Sequence, residues 1–206
     1  MADRIVCKFG GSSVAEAGQF QKVKAIVEAD KRRKVVVVSA PGKRNPKETK
    51  LTDLLYTTYD LASKNLDFSV PWKMICDRYL DIAKDLNLET KIGDDLAVLE
   101  SKLKNECDKI TIDFLVSRGE FLCARLMAEY LGAKFVDSYD LIAFDERYRI
   151  TPKSYETIAE ILSDEEQLFV VPGFYGEGPH KQVKTFSRGG SDISGAVLAN
   201  GINAIT

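Results

Sequence analysis

Arg4-Ile5-Val6-Cys7-Lys8-Phe9, followed at once by Gly10-Gly11-Ser12-Ser13, is the stretch on which the fold turns. The first six residues predict a short buried strand, and the paired glycines end it. A helical pattern then runs to about Asp30, with Val14, Phe20, Val23, Ile26 and Val27 as its apolar positions. Lys34 to Ser39 holds four valines in a row. An unbroken β-branched run is the mark of a strand buried on both faces, as in a parallel sheet. Strand, helix and strand in under forty residues make a βαβ unit.

The rest of the chain extends that unit. Pro41 to Lys50 is polar, and Leu51 to Leu61 resumes as a helix. Trp72, Ile75, Tyr79, Ile82 and Leu86 fall at steps of three and four, and Ile92, Leu96, Leu99 and Leu103 repeat the rhythm. These are two amphipathic helices, read as an antiparallel hairpin whose seam is a packing surface, within a helical insert over about 66–110. Asp113 to Tyr130 is a further helix, interrupted by Gly119. Lys134–Asp137 and Leu168–Pro172 read as strands with a helix over Lys153–Leu162 between them. Gln182–Phe186 reads as an edge strand, Ser191–Asn200 as a short helix, and Asn203–Thr206 as the start of another strand. The alternation predicts an α/β fold, a three-layer αβα sandwich with a mainly parallel central sheet. A chain that stops inside an apparent strand reads as a fragment, so the sheet is expected to be incomplete at the C-terminus.

Composition narrows the function classes. The chain has 206 residues, 45% hydrophobic and 29% charged, with a net charge of -2. That is a globular profile with no basic excess for a nucleic-acid groove. No apolar run approaches a membrane span, and the start lacks a signal peptide's apolar core. The four cysteines form no CxxC pair and read as free thiols of a reducing compartment, so a cytoplasmic location is expected. The single histidine, His180, lies in a Gly-Pro-rich loop and reads as a surface residue. No residue is assigned as a metal ligand.

Four motifs could carry chemistry. In Lys8-Phe9-Gly10-Gly11-Ser12-Ser13, paired glycines let backbone amides approach an anion, and Lys8 adds a full charge. That is a phosphate cradle by its physics; the plainer reading is a tight turn with Ser12 or Ser13 as a helix cap. Thr185-Phe186-Ser187-Arg188-Gly189-Gly190-Ser191-Asp192 sets two more glycines at a helix start, with an arginine suited to a carboxylate or phosphate. Asp192 there also reads as an acidic first-turn residue. Ser117-Arg118-Gly119-Glu120 places a glycine inside a helix at a cost of about 1 kcal/mol relative to alanine, which calls for a bend or a close approach to the backbone. Glu120 could face an ammonium group or solvent. Val171-Pro172-Gly173-Phe174-Tyr175-Gly176 reads as a strand-end turn.

Together with Ser39-Ala40 and Thr52-Asp53-Leu54-Leu55, these motifs resemble the aspartate kinase branch of the amino acid kinase family, in the family's order and over nearly the whole chain. The resemblance implies the amino acid kinase fold and phosphorylation of the side-chain carboxylate of L-aspartate by Mg-ATP, giving 4-phospho-L-aspartate, the entry step toward lysine, threonine and methionine. It implies ATP and Mg²⁺ as cofactors, L-aspartate and ATP as partners, and a homo-oligomer for the full-length enzyme. By the same resemblance Lys8 and Asp192 are catalytic, Lys8 at the transferring phosphoryl group and Asp192 orienting the catalytic cations. Arg188 and Glu120 hold the substrate's α-carboxylate and α-ammonium, and Ser39 and Thr52 line its pocket. Gly10, Gly11 and Ser12, with Gly189, Gly190 and Ser191, form the phosphate loops. Ser12 stands where the family commonly has Thr, and Ser187 where Gly is common. The resemblance assigns residues 1–206 to the amino-acid-binding part of the catalytic domain, with the nucleotide-binding half and regulatory ACT domains beyond residue 206. Two alternatives stand beside it: another kinase of the family, acting on acetylglutamate or glutamate, or a non-catalytic amino-acid-sensing module.

Overall fold

A computed structural model describes residues 3–187 and 189–205. The opening unit is β1 (Ile5–Phe9), α1 (Ala17–Glu28) and β2 (Arg33–Val38). Then come α2 (Leu51–Ser63), α3 (Ser69–Asp85), α4 (Ile92–Asn105) and α5 (Ile112–Leu131). The remainder is β3 (Lys134–Phe135), α6 (Pro152–Ile161), β4 (Phe169–Pro172), β5 (Tyr175–Glu177), β6 (Val183–Thr185) and α7 (Gly190–Gly201).

The main sheet has the order β1-β2-β4-β3, and every pairing in it is parallel. The valine run explains its layers. Side chains alternate across a strand, so Val36 and Val38 enter the core shared with α1–α5, whereas Val35 and Val37 enter a second core with Ile158 of α6 and Val197 and Leu198 of α7. All four valines are fully buried. The predicted three-layer α/β sandwich is therefore the one observed. Among the described residues, no helix is long and apolar enough to cross a membrane.

The insert forms as its periodicity predicts. Each of the nine apolar residues named for α3 and α4 is buried. They join the core of α1, α2 and α5 instead of forming a separate one. Gly132, in the left-handed region at φ 63°, ends α5.

Four expectations are corrected. The helix after β1 does not open at Gly10. A single 3-10 turn, Gly11–Val14, comes first, with no side-chain cap, and α1 begins only at Ala17. Gln182–Phe186 is not an edge of the main sheet: β6 pairs antiparallel with β5 in a separate two-stranded sheet. Tyr175 and Gly176, read as part of a turn, belong to that hairpin. Residues 203–205 form no strand, although the Ile205 N–H donates to the Arg4 carbonyl at 3.0 Å, one strand-like bond beside β1. Thr206 lies outside the described residues.

Candidate functional site

The carboxyl ends of β1, β2 and β4 converge, and parallel α/β sheets bind ligands at that end of their strands. Three loops leave from there, beginning at Gly10, Ser39 and Gly173. They are bound together by backbone. Ser39 N–H donates to Phe9 O at 3.1 Å, Gly42 N–H to Gly11 O at 2.8 Å, and Gly173 N–H to Val38 O at 2.9 Å.

Space dictates the glycines here. A Cβ on Gly11 would stand 2.9 Å from Ala40 O, and one on Gly42 would stand 2.6 Å from the Gly11 carbonyl carbon. A Cβ on Gly173 would stand 2.7 Å from that of Ser191, so β4 and the first turn of α7 meet without clearance. The two glycine motifs thus face a common region, and one ion pair ties them: Lys8 Nζ lies 2.8 Å from Asp192 Oδ1. Lys8 also folds over the first loop, its Nζ only 3.5 Å from where a Cβ on Gly10 would be. Gly195, one turn further along α7, lets that helix pass close to the Lys8 stem.

The two loops differ in kind. The second opens a true α-helix, with Gly189 at φ 74° as its N-cap and the Asp192 N–H bonded back to Gly189 O. Free amides and the helix dipole both act there. The first opens only a 3-10 turn, so its anion-binding capacity rests on local amides and on Lys8. Ser12 is exposed, and Ser191 is buried against Gly173. Arg188 lies outside the described residues.

Glu120 sits on the other side of the same cluster. It is 4% exposed, and its Oε2 has no hydrogen-bond partner among the described residues. Burial pushes its carboxyl up to about 8, while hydrogen bonds from the Ala40 and Glu120 backbone amides act in the opposite direction. A buried carboxyl oxygen left without a partner is costly when the group is charged, and an incoming ammonium would relieve it. The glycine before it answers to a close approach: a Cβ on Gly119 would meet Ala40 Cβ at 2.9 Å and Leu55 Cδ1 at 3.1 Å. Ala40 therefore joins the halves, its N–H at Glu120, its carbonyl at Gly11 and its methyl at Gly119.

Ser39 and Thr52 are half-buried, the first directly after β2 and the second in the first turn of α2. No hydrogen bond among the described residues links either hydroxyl to the rest of the site. Arg118, between Ser117 and Gly119, is buried as well, and its charge acts to lower the Glu120 carboxyl. Its guanidinium lies 4.4 Å from the Phe121 ring centre, 4.8 Å from Phe114 and 5.2 Å from Tyr175, fastening the β5–β6 hairpin to α5. Gly42, Ala40 and Gly173 were not among the predicted site residues. Their part is played by backbone, and only the Pro41-Gly42 and Pro172-Gly173 pairs hint at it. His180 is a surface residue, as expected, with its side chain 77% exposed. Among the described residues, no group of three or more His, Cys, Asp or Glu is placed to hold a metal.

The model of the amino acid kinase family matches residues 3–206. Aspartokinase 3 of Bacillus subtilis is 37% identical over 97% of this chain and 46% of its own length. A crystal structure of Clostridium acetobutylicum aspartate kinase superimposes with a TM-score of 0.93 at 40% identity, over 98% of this chain and 46% of the other. Escherichia coli aspartokinase III, solved in complex with aspartate and ADP, gives 0.77 at 25% identity, over 98% and 47%. The chain spans about half the length of the curated relatives it matches. Sheet order, paired glycine turns and a family match over nearly every residue agree: the chain belongs to the amino acid kinase family.

Proposed function

We propose that this chain is the amino-acid-binding part of an aspartate kinase, which transfers the γ-phosphoryl group of ATP to the side-chain carboxylate of L-aspartate. The observation that carries the reading is the cation of Lys8 held by Asp192 between two glycine turns, with the buried Glu120, whose Oε2 has no hydrogen-bond partner among the described residues, on the far side of Ala40. A phosphate-sized anion suits the first side, and an ammonium group the second.

The chemistry asks for little more. A carboxylate with a reference pKa of ~3.9 is already ionised at neutral pH, so it attacks without a general base. The barrier is electrostatic, because an anion must approach a polyanion. Lys8 and the loop amides offset charge on the phosphoryl oxygens as it develops, and the ion pair with Asp192 fixes where the ammonium points. Glu120 receives the substrate's ammonium, and Arg188, by the family resemblance, its α-carboxylate. Ser39 and Thr52 line the acceptor pocket. Mg²⁺ would enter with the nucleotide and would neutralise phosphate charge, and Asp192 would be the carboxylate available to hold it.

The test is Lys8→Met in the full-length protein that carries this chain. Turnover is expected to fall by about 2–4 kcal/mol of transition-state stabilisation, with the aspartate KM little changed. Near-normal turnover would overturn the assignment. Offering acetylglutamate and glutamate in competition with aspartate fixes the acceptor.

A further inference from the structure

The family reading leaves two features unused: the charged loop over residues 43–50 and the helical insert. The structure joins them at Arg78 of α3. Its side chain is 6% exposed, and its two terminal nitrogens diverge. Nη1 donates to Gly42 O at 2.5 Å, and Nη2 to Glu48 Oε2 at 2.7 Å. Arg44 closes the loop on itself through Glu48, Nε to Oε1 at 2.7 Å, and reaches Asp81, one turn along α3, at 3.2 Å. Gly42 in turn is bonded to Gly11 and packed against it without clearance. Any shift of Gly42 must therefore move the Gly10–Gly11 loop. The next residue of α3 serves the other half of the site: Tyr79 Oη donates to Gly119 O at 2.7 Å, beside Glu120.

We propose that α3 is a two-sided clamp, in which Arg78 is a positioning residue for the phosphate loop and Tyr79 one for the helix that presents Glu120. A planar guanidinium reaches two acceptors in a fixed geometry, which a lysine ammonium cannot reproduce. The helical insert is then part of the site's framework. The assignment of the two halves to phosphate and aspartate rests on the function proposed above; the mechanical link does not.

The test compares Arg78→Met, Arg78→Lys, Tyr79→Phe and a control, Leu99→Ala, in the full-length protein. Leu99 is buried in the same insert but on α4. Arg78→Met is expected to lower kcat about 10- to 100-fold, as small misplacements of positioned groups do, while the aspartate KM stays within about threefold. Arg78→Lys recovers only part of the loss. Tyr79→Phe raises the aspartate KM several-fold and leaves kcat within about twofold. Leu99→Ala, assayed below its melting temperature, moves neither. Amide hydrogen exchange gives a readout free of the reaction: Arg78→Met speeds exchange at Ser13 and Gly42, whose amides are bonded to Gly10 O and Gly11 O, and Leu99→Ala does not. Equal kinetic effects from Arg78→Met and Leu99→Ala, or unchanged exchange at those amides, would overturn the clamp. A wild-type protein without aspartate-dependent ADP release would instead overturn the functional reading, and the exchange measurement would still decide the clamp.

Discussion

Glu120 is the residue at which stability and function pull apart. Its carboxyl is raised to about 8 by burial, above its ordinary value of 4.5. Between those two values the folded protein holds a proton that the unfolded chain has lost. Stability therefore falls as pH rises through that window, and the full penalty is present above it. Glu120→Gln removes the ionisation. The variant is expected to match the wild type near pH 4.5 and to exceed it by roughly 1–3 kcal/mol at pH 8.5, read from urea midpoints at each pH. A constant difference across the range would show that Glu120 does not titrate there. The same raised value bears on the substrate. An ammonium beside Glu120 favours its ionised form, so aspartate binding at pH 7 is expected to release close to one proton. Calorimetry in two buffers of different ionisation enthalpy measures that proton, and Glu120→Gln should abolish it.

Among the elements, the pairing of α5 with α2 shows why a helix tolerates Gly119. Alanine there would gain about 1 kcal/mol of helix propensity. Its methyl, however, would lie 2.9 Å from Ala40 Cβ and 3.1 Å from Leu55, and Ala40 has no side chain to swing aside. Overpacking of this kind costs roughly 1–3 kcal/mol, so Gly119→Ala is expected to be destabilising on balance and to lower Tm, which differential scanning calorimetry reads directly. A raised Tm would mean that the Ala40 loop yields, contrary to its role as the joint between the two halves. The same glycine marks what the sequence makes legible. A glycine inside a helix is visible in the residue order, and so are the valine run and the three-and-four spacing of Trp72 to Leu103; each of these elements forms where its pattern lies. The partners of Gly119 are not visible, because a close approach depends on which helix comes to lie opposite. β5 was hidden for a similar reason: three residues centred on Gly176 carry no alternation, and the strand exists only by pairing with β6. Within the site, charged residues and glycines at turns were readable from type and spacing. Gly42, Ala40 and the Arg78 clamp act through backbone groups and contacts between residues far apart in the chain, which no local pattern encodes.

For the molecule as a whole, the question is how much of a nucleotide this chain can enclose. Nucleotide-sized ligands bury most of their surface, largely against apolar walls. At the proposed phosphate side Asp192 is 72% exposed, and Ser12 and Gly189 are exposed as well. Charge and amides are in place there, yet the region is open. The proposed aspartate side is closed by contrast, with Glu120 4% exposed and bonded by the Ala40 backbone amide. With the chain spanning 46% of Bacillus subtilis aspartokinase 3 and of the Clostridium acetobutylicum enzyme, the proposed division of labour is an amino-acid half here and a nucleotide wall contributed by further sequence. Residues 1–206 expressed alone are then expected to bind ATP weakly and to release no ADP in response to aspartate, while the full-length protein does so. A coupled ADP assay on both, at matched concentrations, is the measurement. Aspartate-dependent turnover by a monodisperse preparation of residues 1–206 would refute the division, and would place the adenine contacts among residues assigned above to the sheet and its covering helices.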